Sequence, residues 1–263
     1  MNLNVEKILI IGLGMIGASI ALASRSKGIK VTGYDIDPNS VKNAIQNQII
    51  DDEASSIEQI NSKDQIKDID LIILAIPPKQ TLDVLNSLQE VWNTDTTITE
   101  TSSVKNHIKL KDVSNIVLSH PIAGSDQSGL LAADENLFKN KKNVLCNPFN
   151  SHKDHYDKVE NFWSNALQMK TALMTVSEHD LIFAMTSHLP HLISYALIDS
   201  IRLSNNDVGD NAGGGIKEFL RLSGSNPEMW RDIFMLNRVD LILSLIHISS
   251  PRDGLLSRMP SSA

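Results

Sequence analysis

Runs of consecutive apolar residues alternate with segments of helical apolar spacing over the first two thirds of the chain. The first run, residues 7–11, is followed by a glycine-rich turn, a helical segment at residues 18–26 and a second strand-like run, residues 30–35. Parallel strands that are covered by helices on both faces have near-continuous apolar sequences. The pattern therefore predicts an α/β domain with a parallel sheet.

Further strands and helices are predicted in the same region. The strands are expected at residues 71–76, 97–101, 115–119, 143–146 and 171–175, and the two longest intervening helices at residues 79–91 and 152–167. Alternation of strands and helices is typical of a doubly wound sheet. We expect residues 1–175 to form this first domain.

The spacing of apolar residues changes after residue 175. Apolar positions recur with helical spacing over residues 181–201, and shorter helices are predicted at residues 216–222 and 229–243. A loop rich in Asn, Asp and Gly, residues 204–215, separates the first of these helices from the second. Residues 176–243 are predicted to form an all-α domain.

The end of the chain differs from the rest. Residues 249–263 are rich in Ser and Pro and have little periodicity. The run at residues 243–249 resembles the translation of a sequencing-library adapter. We therefore expect residues 244–263 to be a non-native tail on a truncated helical domain.

Composition narrows the classes of function. A length of 263 residues exceeds what one core usually organises, which favours two domains. The net charge of −7 argues against binding to nucleic acid or an anionic membrane. The single cysteine, Cys146, excludes a disulfide framework within the chain. Since no signal-peptide pattern is present and no uninterrupted apolar stretch approaches ~18 residues, a soluble cytoplasmic protein is predicted.

A glycine motif lies between the first predicted strand and the first predicted helix. The sequence matches G-x-G-x-x-G, with the residues Gly12, Leu13, Gly14, Met15, Ile16 and Gly17. Glycines at these positions permit a tight turn, close approach of the backbone to a pyrophosphate, and packing of the helix on the strand. The helix N-terminus attracts phosphate groups. The motif predicts a Rossmann-like dinucleotide-binding domain.

An acidic residue ends the second predicted strand. Asp35 follows Gly14 by 21 positions, close to the ~20 expected for a carboxylate that binds the adenosine ribose. Its charge would repel a 2′-phosphate, and no arginine directly follows it, so NAD is predicted rather than NADP. The alternative is a glycine turn followed by a solvated aspartate.

Ala75 and Pro77 lie at the end of a later predicted strand. Ligands of open α/β sheets bind outside the carboxyl ends of the strands, so we expect this corner to lie beside the cofactor. A strand end that is interrupted by prolines for structural reasons is equally compatible with the sequence.

A histidine, His120, follows the strand predicted at residues 115–119. A histidine at the carboxyl edge of the sheet can accept a proton near neutral pH, as the oxidation of a hydroxyl to a carbonyl requires. Taken alone, a histidine at a strand end is more often structural.

The order of several motifs resembles that of the prephenate dehydrogenase family, from residue 7 to about residue 241. This family oxidatively decarboxylates prephenate to 4-hydroxyphenylpyruvate in tyrosine biosynthesis. The motifs are the glycine turn with Asp35, ETSSVK at residues 100–105, HPIAG at residues 120–124, SHLPH at residues 187–191, GGG at residues 213–215 with Arg221, and MWRD at residues 229–232.

The resemblance implies roles for individual residues. His120, assisted by Ser103, would accept the proton of the ring hydroxyl while C4 delivers hydride to NAD. Arg221 would hold a carboxylate of the dianionic substrate, since a guanidinium binds carboxylates in a bidentate manner. His191 would help to bind the substrate, and Gly214 would line the pocket with its backbone; the alternative for the glycine segment is a flexible interhelical loop.

Other interpretations stay open. An arogenate dehydrogenase or a dual-specificity cyclohexadienyl dehydrogenase would use the same chemistry, and a truncated chain could bind NAD without catalysis. A metal site is not expected, because Pro190 interrupts the spacing of His188 and His191 and no third ligand is found. The resemblance implies a homodimer once the missing C-terminal helices are restored.

Overall fold

The structure is a computed structural model that describes residues 5–62, 66–124, 129–204 and 213–249. The chain divides into two compact units, Met1–His179 and Asp180–Ala263. The first unit is an α/β domain and the second is helical, which confirms the predicted fold class.

Eight strands form the sheet of the first unit, in the order β3-β2-β1-β4-β5-β6-β7-β8. The strands are β1 (Lys7–Ile11), β2 (Lys30–Tyr34), β3 (Asp52–Glu53), β4 (Leu71–Leu74), β5 (Thr97–Glu100), β6 (Ile116–Ile122), β7 (Lys142–Cys146) and β8 (Lys170–Leu173). The helices are α1 (Met15–Arg25), α2 (Pro38–Gln46), α3 (Ile57–Ile60), α4 (Pro78–Ser87) and α5 (Lys153–Asn161). The strand order reverses between β1 and β4, which is where such sheets bind ligands.

The core of this unit lies along β1 and β4. Their side chains are buried on both faces of the sheet, and Ile8, Ile10, Leu71 and Ile73 are fully inaccessible to solvent. Each such side chain stabilises the fold by about 1.5–3 kcal/mol relative to its exposed state. This burial on both faces explains why the sequence of these strands is continuously apolar.

The sheet is predominantly parallel, as predicted, but it contains one antiparallel pair that the sequence pattern did not indicate. β7 pairs with β6 in antiparallel orientation, and β8 is parallel to β7. The described residues between β6 and β7 contain only the short 3-10 turn Leu130–Ala132. A parallel return needs a crossover, usually a helix, whereas this connection reverses the chain direction.

The antiparallel partner also lengthens β6 beyond its predicted end at residue 119. β5 pairs with β6 only as far as Leu118, but β7 continues the pairing to Ile122. His120, predicted to follow the strand, lies inside it opposite Val144 of β7. It therefore projects beyond the end of β5, at the carboxyl edge of the parallel strands.

The second unit consists of helices. They are α6 (Val176–Phe183), α7 (Leu189–Leu203), α8 (Gly214–Ser223), α9 (Pro227–Leu236) and α10 (Arg238–Ser249). The first turn of α6 belongs to the first unit. The π-helical turn Ala184–His188 joins α6 to α7. The single helix predicted at residues 229–243 is two helices, because the chain leaves helical geometry at Asn237. The buried Asn237 side chain donates to the carbonyl oxygen of Asp180 at 2.8 Å. Of the predicted tail, residues 250–263 lie outside the described residues.

One helical run, Val176–Leu203, is long and apolar enough to cross a membrane by length and composition alone. The sequence prediction considered only uninterrupted apolar stretches, and polar residues interrupt this one. Among them, His188 and Ser194 are buried, and Ser194 donates to the Pro190 carbonyl oxygen at 2.8 Å. Length and composition alone do not distinguish a membrane span from a helix of a soluble protein.

Candidate active site

The glycine turn joins β1 to α1, and two of its three glycines are required by packing. Gly12 has φ +96°, and a Cβ there would lie 2.5 Å from the Ala75 carbonyl oxygen. A Cβ on Gly17 would lie 1.9 Å from the Gly12 carbonyl oxygen. No side chain fits at either position, so these glycines fix the turn and seat α1 on the sheet.

The middle glycine has a different environment. Gly14 is exposed, and no atom lies within 4 Å of a Cβ built on it. It is the N-cap residue of α1, and no side chain caps that helix end. Met15 and Ile16 follow in the first turn, whose amide groups lack partners within the helix. The open space and the free helix end fit a pyrophosphate.

Asp35, just after β2, is tied to the glycine turn. One carboxylate oxygen accepts from the Leu13 amide at 2.7 Å, and the other accepts from the Asp37 amide at 2.9 Å. Because of these two hydrogen bonds, Asp35 is not merely a solvated residue that follows a glycine turn. The carboxylate is held beside the turn, where the ribose of a dinucleotide bound there would lie.

The Ala75 corner follows β4 and adjoins the same turn. Ala75 donates its amide to the Ile11 carbonyl oxygen at 2.8 Å, and its own carbonyl is the group nearest to Gly12. Pro77 is exposed and precedes α4. The structure thus places Ala75 beside the glycine turn, and Pro77 follows two positions later. That this corner contacts the cofactor stays a prediction.

The segment after β5 carries Ser103 and is anchored by a buried ion pair. Lys105 and Glu100 are fully buried and form a salt bridge. The other oxygen of Glu100 accepts from the Ser102 amide at 2.7 Å. Ser102 and Val104, on either side of half-buried Ser103, are buried. The backbone around Ser103 is therefore fixed from both sides.

The same lysine reaches β6. Lys105 Nζ donates to the carbonyl oxygens of Ser102 at 2.7 Å and Ser119 at 2.5 Å. The Ser119 hydroxyl lies 2.7 Å from the Thr99 hydroxyl and accepts from Trp163 Nε1 at 3.0 Å. Ser119 directly precedes His120, so these contacts fix the strand that carries the proposed base.

His120 is half-buried and contacts a second histidine. Its Nδ1 lies 2.8 Å from Nε2 of His179, which is fully buried in the first turn of α6. The two rings are tilted by 59° with centroids 5.0 Å apart. This contact occupies Nδ1, so proton transfer with a substrate would use Nε2 of His120.

In the second unit, His191 stacks on Trp230. The ring centroids are 3.6 Å apart and the planes differ by 17°. His191 Nδ1 lies 2.9 Å from the Ser187 carbonyl oxygen, so Nδ1 carries the proton of that hydrogen bond. Burial lowers the pKa of His191, the hydrogen bond to the Ser187 carbonyl opposes this shift, and the positive charge of Arg221 adds to it. The net direction favours the uncharged ring.

Arg221 and Gly214 lie on α8. The guanidinium is exposed and donates to Glu218 at 3.0 Å. Gly214 is in the first turn of this helix, with open space where a Cβ would project. These residues and His191 belong to the second unit, whereas the glycine turn, Asp35, Ser103 and His120 belong to the first.

Two neighbours of the predicted site residues were missed by sequence reasoning, Lys105 as an anchor and His179 as a partner of His120. Lys105 is the last residue of the motif at residues 100–105, so the motif itself marked this position. The structure explains why a lysine stands there, because its side chain is buried and paired with Glu100. No spacing in the sequence relates His179 to His120. Within the described ranges, no three His, Cys, Asp or Glu side chains cluster closely enough to hold a metal.

Comparisons with known proteins agree with this arrangement. A family model described as "Prephenate dehydrogenase, nucleotide-binding domain" matches residues 20–169, and one described as "Prephenate dehydrogenase, dimerization domain" matches residues 175–247. The prephenate dehydrogenase of Bacillus subtilis is 32% identical, covering 90% of this chain and 66% of that protein. The chain thus spans just under two thirds of that relative's length.

Two further relatives bear on substrate and cofactor. The cyclohexadienyl dehydrogenase of Zymomonas mobilis is 28% identical, covering 92% of this chain and 84% of that protein. The crystal structure of A. aeolicus prephenate dehydrogenase, in complex with hydroxyphenyl propionate and NAD+, has a TM-score of 0.85 and 29% identity. That comparison covers 98% of this chain and 91% of the other.

Proposed function

Because the chain belongs to the prephenate dehydrogenase family, we propose that it catalyses the NAD-dependent oxidative decarboxylation of prephenate to 4-hydroxyphenylpyruvate. The observation that carries this proposal is the position of His120, which lies beyond the end of β5 with Nδ1 in contact with His179. A general base is what the oxidation of a secondary hydroxyl needs from the protein.

The cofactor assignment rests on the glycine turn and Asp35. Gly14 leaves space for a pyrophosphate at the N-terminus of α1. Asp35 presents a fixed carboxylate to the ribose hydroxyls and would repel a 2′-phosphate. NAD, when bound, supplies the acceptor for the hydride that leaves C4 of the substrate ring.

Side chains of the protein accept and return the proton. Nε2 of His120 accepts the proton of the C4 hydroxyl as that carbon becomes a carbonyl, and the half-buried Ser103 assists. The bond to the ring carboxylate then breaks, CO2 leaves, and the electron pair passes through the ring to the oxygen. His120 returns the proton to this oxygen, which gives the phenol of 4-hydroxyphenylpyruvate.

The substrate is a dianion, so the site needs positive charge. Arg221 is the charged candidate, because it cannot lose its proton and its fork matches a carboxylate. Its contact with Glu218 is an exposed ion pair, which contributes little to stability. His191, stacked on Trp230, would help to bind the substrate. The backbone of Gly214 would line the same pocket.

An arogenate or dual-specificity cyclohexadienyl dehydrogenase is the second candidate. It is favoured by the Zymomonas mobilis relative, which carries the latter name. Initial rates with prephenate and arogenate, each with NAD and NADP, distinguish the candidates. Failure to oxidise either substrate, in a sample that binds NAD, would support a binding protein without catalysis.

We infer that the protein acts as a homodimer in the cytoplasm. The second unit matches a dimerization-domain model and leaves large apolar side chains on its surface, among them Leu220, Met235, Val239 and Ile242. No residue of α8 is buried. Light scattering after gel filtration tests this, since a mass near 29 kDa at every concentration would contradict a dimer.

A further inference from the structure

The contact between His120 and His179 has a chemical requirement of its own. The two nitrogens are 2.8 Å apart, so one of them carries the hydrogen and the other accepts it. If His179 donated from Nε2, neutral His120 would carry its proton on its own Nε2 and could not act as a base there. The proposed reaction therefore needs the opposite arrangement.

We propose that His179 is a positioning residue, whose Nε2 accepts from Nδ1 of His120 and holds that ring in the tautomer with an unprotonated Nε2. This inference rests on the function proposed above. In that arrangement His179 is neutral and carries its own proton on Nδ1. When His120 takes the substrate proton, its Nδ1–H still donates to His179, which stabilises the cation at the position where it forms. The acidic residue of a catalytic triad orients its histidine in the same way.

The surroundings of His179 favour a fixed orientation. The side chain is fully buried, so it has few alternative rotamers. The start of α6 is held by a reciprocal capping box: the Glu178 amide donates to the Thr175 hydroxyl at 3.2 Å, and the Thr175 amide donates to the Glu178 carboxylate at 2.9 Å. His179 follows immediately and donates its amide to the Thr175 carbonyl oxygen at 3.0 Å.

His120 is fixed from the other side by a different set of contacts. Lys105 and Trp163 bind the carbonyl and hydroxyl groups of Ser119, the preceding residue. These contacts set the path of the backbone but leave the rotation and protonation of the imidazole open. The contact with His179 settles both, which is why we assign it a role separate from that of the ion pair.

The test uses the full chain with substitutions at position 179. His179→Leu removes the acceptor and should lower kcat about 100-fold, within the range that a positioned base contributes. His179→Gln keeps an amide oxygen that can accept from His120 and should recover kcat to within about tenfold of the wild type. KM for prephenate and Kd for NAD should change by less than about threefold in both, because the contact acts on the base.

A matched control is available at His155. Its Nδ1 lies 2.7 Å from the Thr97 hydroxyl, so His155→Leu also removes a partly buried histidine hydrogen bond from the same unit. This variant should keep the wild-type kcat. If His179→Gln were no better than His179→Leu, or if both kept the wild-type kcat, the positioning role would be wrong.

A spectroscopic readout does not depend on activity. In 15N-histidine NMR spectra of the wild type, assigned by comparison with His120→Asn, neutral His120 should carry its proton on Nδ1. A proton on Nε2 would overturn the inference even if His179→Leu failed to fold. If the wild type binds NAD but oxidises neither prephenate nor arogenate, the proposed function fails, while the NMR result still decides the hydrogen bond.

Discussion

Lys105 Nζ donates to the backbone carbonyl oxygen of Ser119 at 2.5 Å. The same ammonium pairs with buried Glu100 and donates to the Ser102 carbonyl oxygen. One side chain thereby connects the segment that carries Ser103 to the strand that carries His120. We therefore expect substitutions of Lys105 to affect both the stability of the fold and the proposed activity.

Lys105→Met should destabilise the protein by about 3–5 kcal/mol, because it leaves the Glu100 carboxylate buried without its cation. The free energy of unfolding, measured in urea, checks the magnitude. The double variant E100L/K105M is the matched control and should lose less, since it removes both charges together. A loss below about 1 kcal/mol in the single variant would contradict the buried pair.

Two glycines of the same motif should respond differently to alanine. Gly17→Ala places a Cβ 1.9 Å from the Gly12 carbonyl oxygen and should cost about 1–3 kcal/mol of stability. Gly14→Ala meets open space and should cost less than about 1 kcal/mol. The added methyl should nevertheless weaken NAD binding at least tenfold, or about 1.4 kcal/mol. Thermal unfolding of both variants measures the loss of stability, and calorimetric titration measures the affinity for NAD. Equal NAD affinity in Gly14→Ala and the wild type would contradict the assigned pyrophosphate position.

Asp35→Asn tests the choice of cofactor. Asparagine keeps an oxygen that can accept from the Leu13 amide but removes the negative charge. The ratio of kcat/KM for NAD to that for NADP should fall about 10- to 100-fold, since like charges at a binding site cost several kcal/mol. An unchanged ratio would mean that Asp35 does not face the 2′ position.

His191 should titrate below the usual histidine pKa of about 6.5, because burial lowers its pKa and Arg221 adds to the effect. The unfolded chain then binds a proton at higher pH than the folded one. The contribution of His191 to stability is therefore complete above pH ~6.5 and declines as the pH falls toward the lowered pKa. NMR titration gives the pKa directly, and His191→Gln should lose less stability between pH 7 and 5 than the wild type. A midpoint above 6.5 would reverse the sign of this effect.

The sequence is sufficient to predict the first half of the sheet. The apolar runs of β1 and β4, the glycine turn and Asp35 are local signals, and the structure places them as the patterns predict. Gly12 and Gly17 are fixed by backbone contacts that no other residue type permits. The sequence shows the result of these contacts as a glycine motif, although the contacts themselves are seen only in the fold.

Other features depend on contacts between distant residues. The direction of β7 is set by its pairing with β6, and a run of five residues has the same sequence pattern in either orientation. The break at Asn237 depends on its hydrogen bond to Asp180, 57 residues earlier. His179 and His120 are separated by 59 positions, so their contact required the folded chain.

The most direct test of the proposed activity is an assay of the wild type and His120→Asn with prephenate and NAD. It follows NADH by absorbance and 4-hydroxyphenylpyruvate by chromatography. The wild type should form the two products in equal amounts, and His120→Asn should be slower by about 10²–10⁴ with NAD affinity retained. Equal rates for the two proteins, or no product from a wild type that binds NAD, would contradict the account.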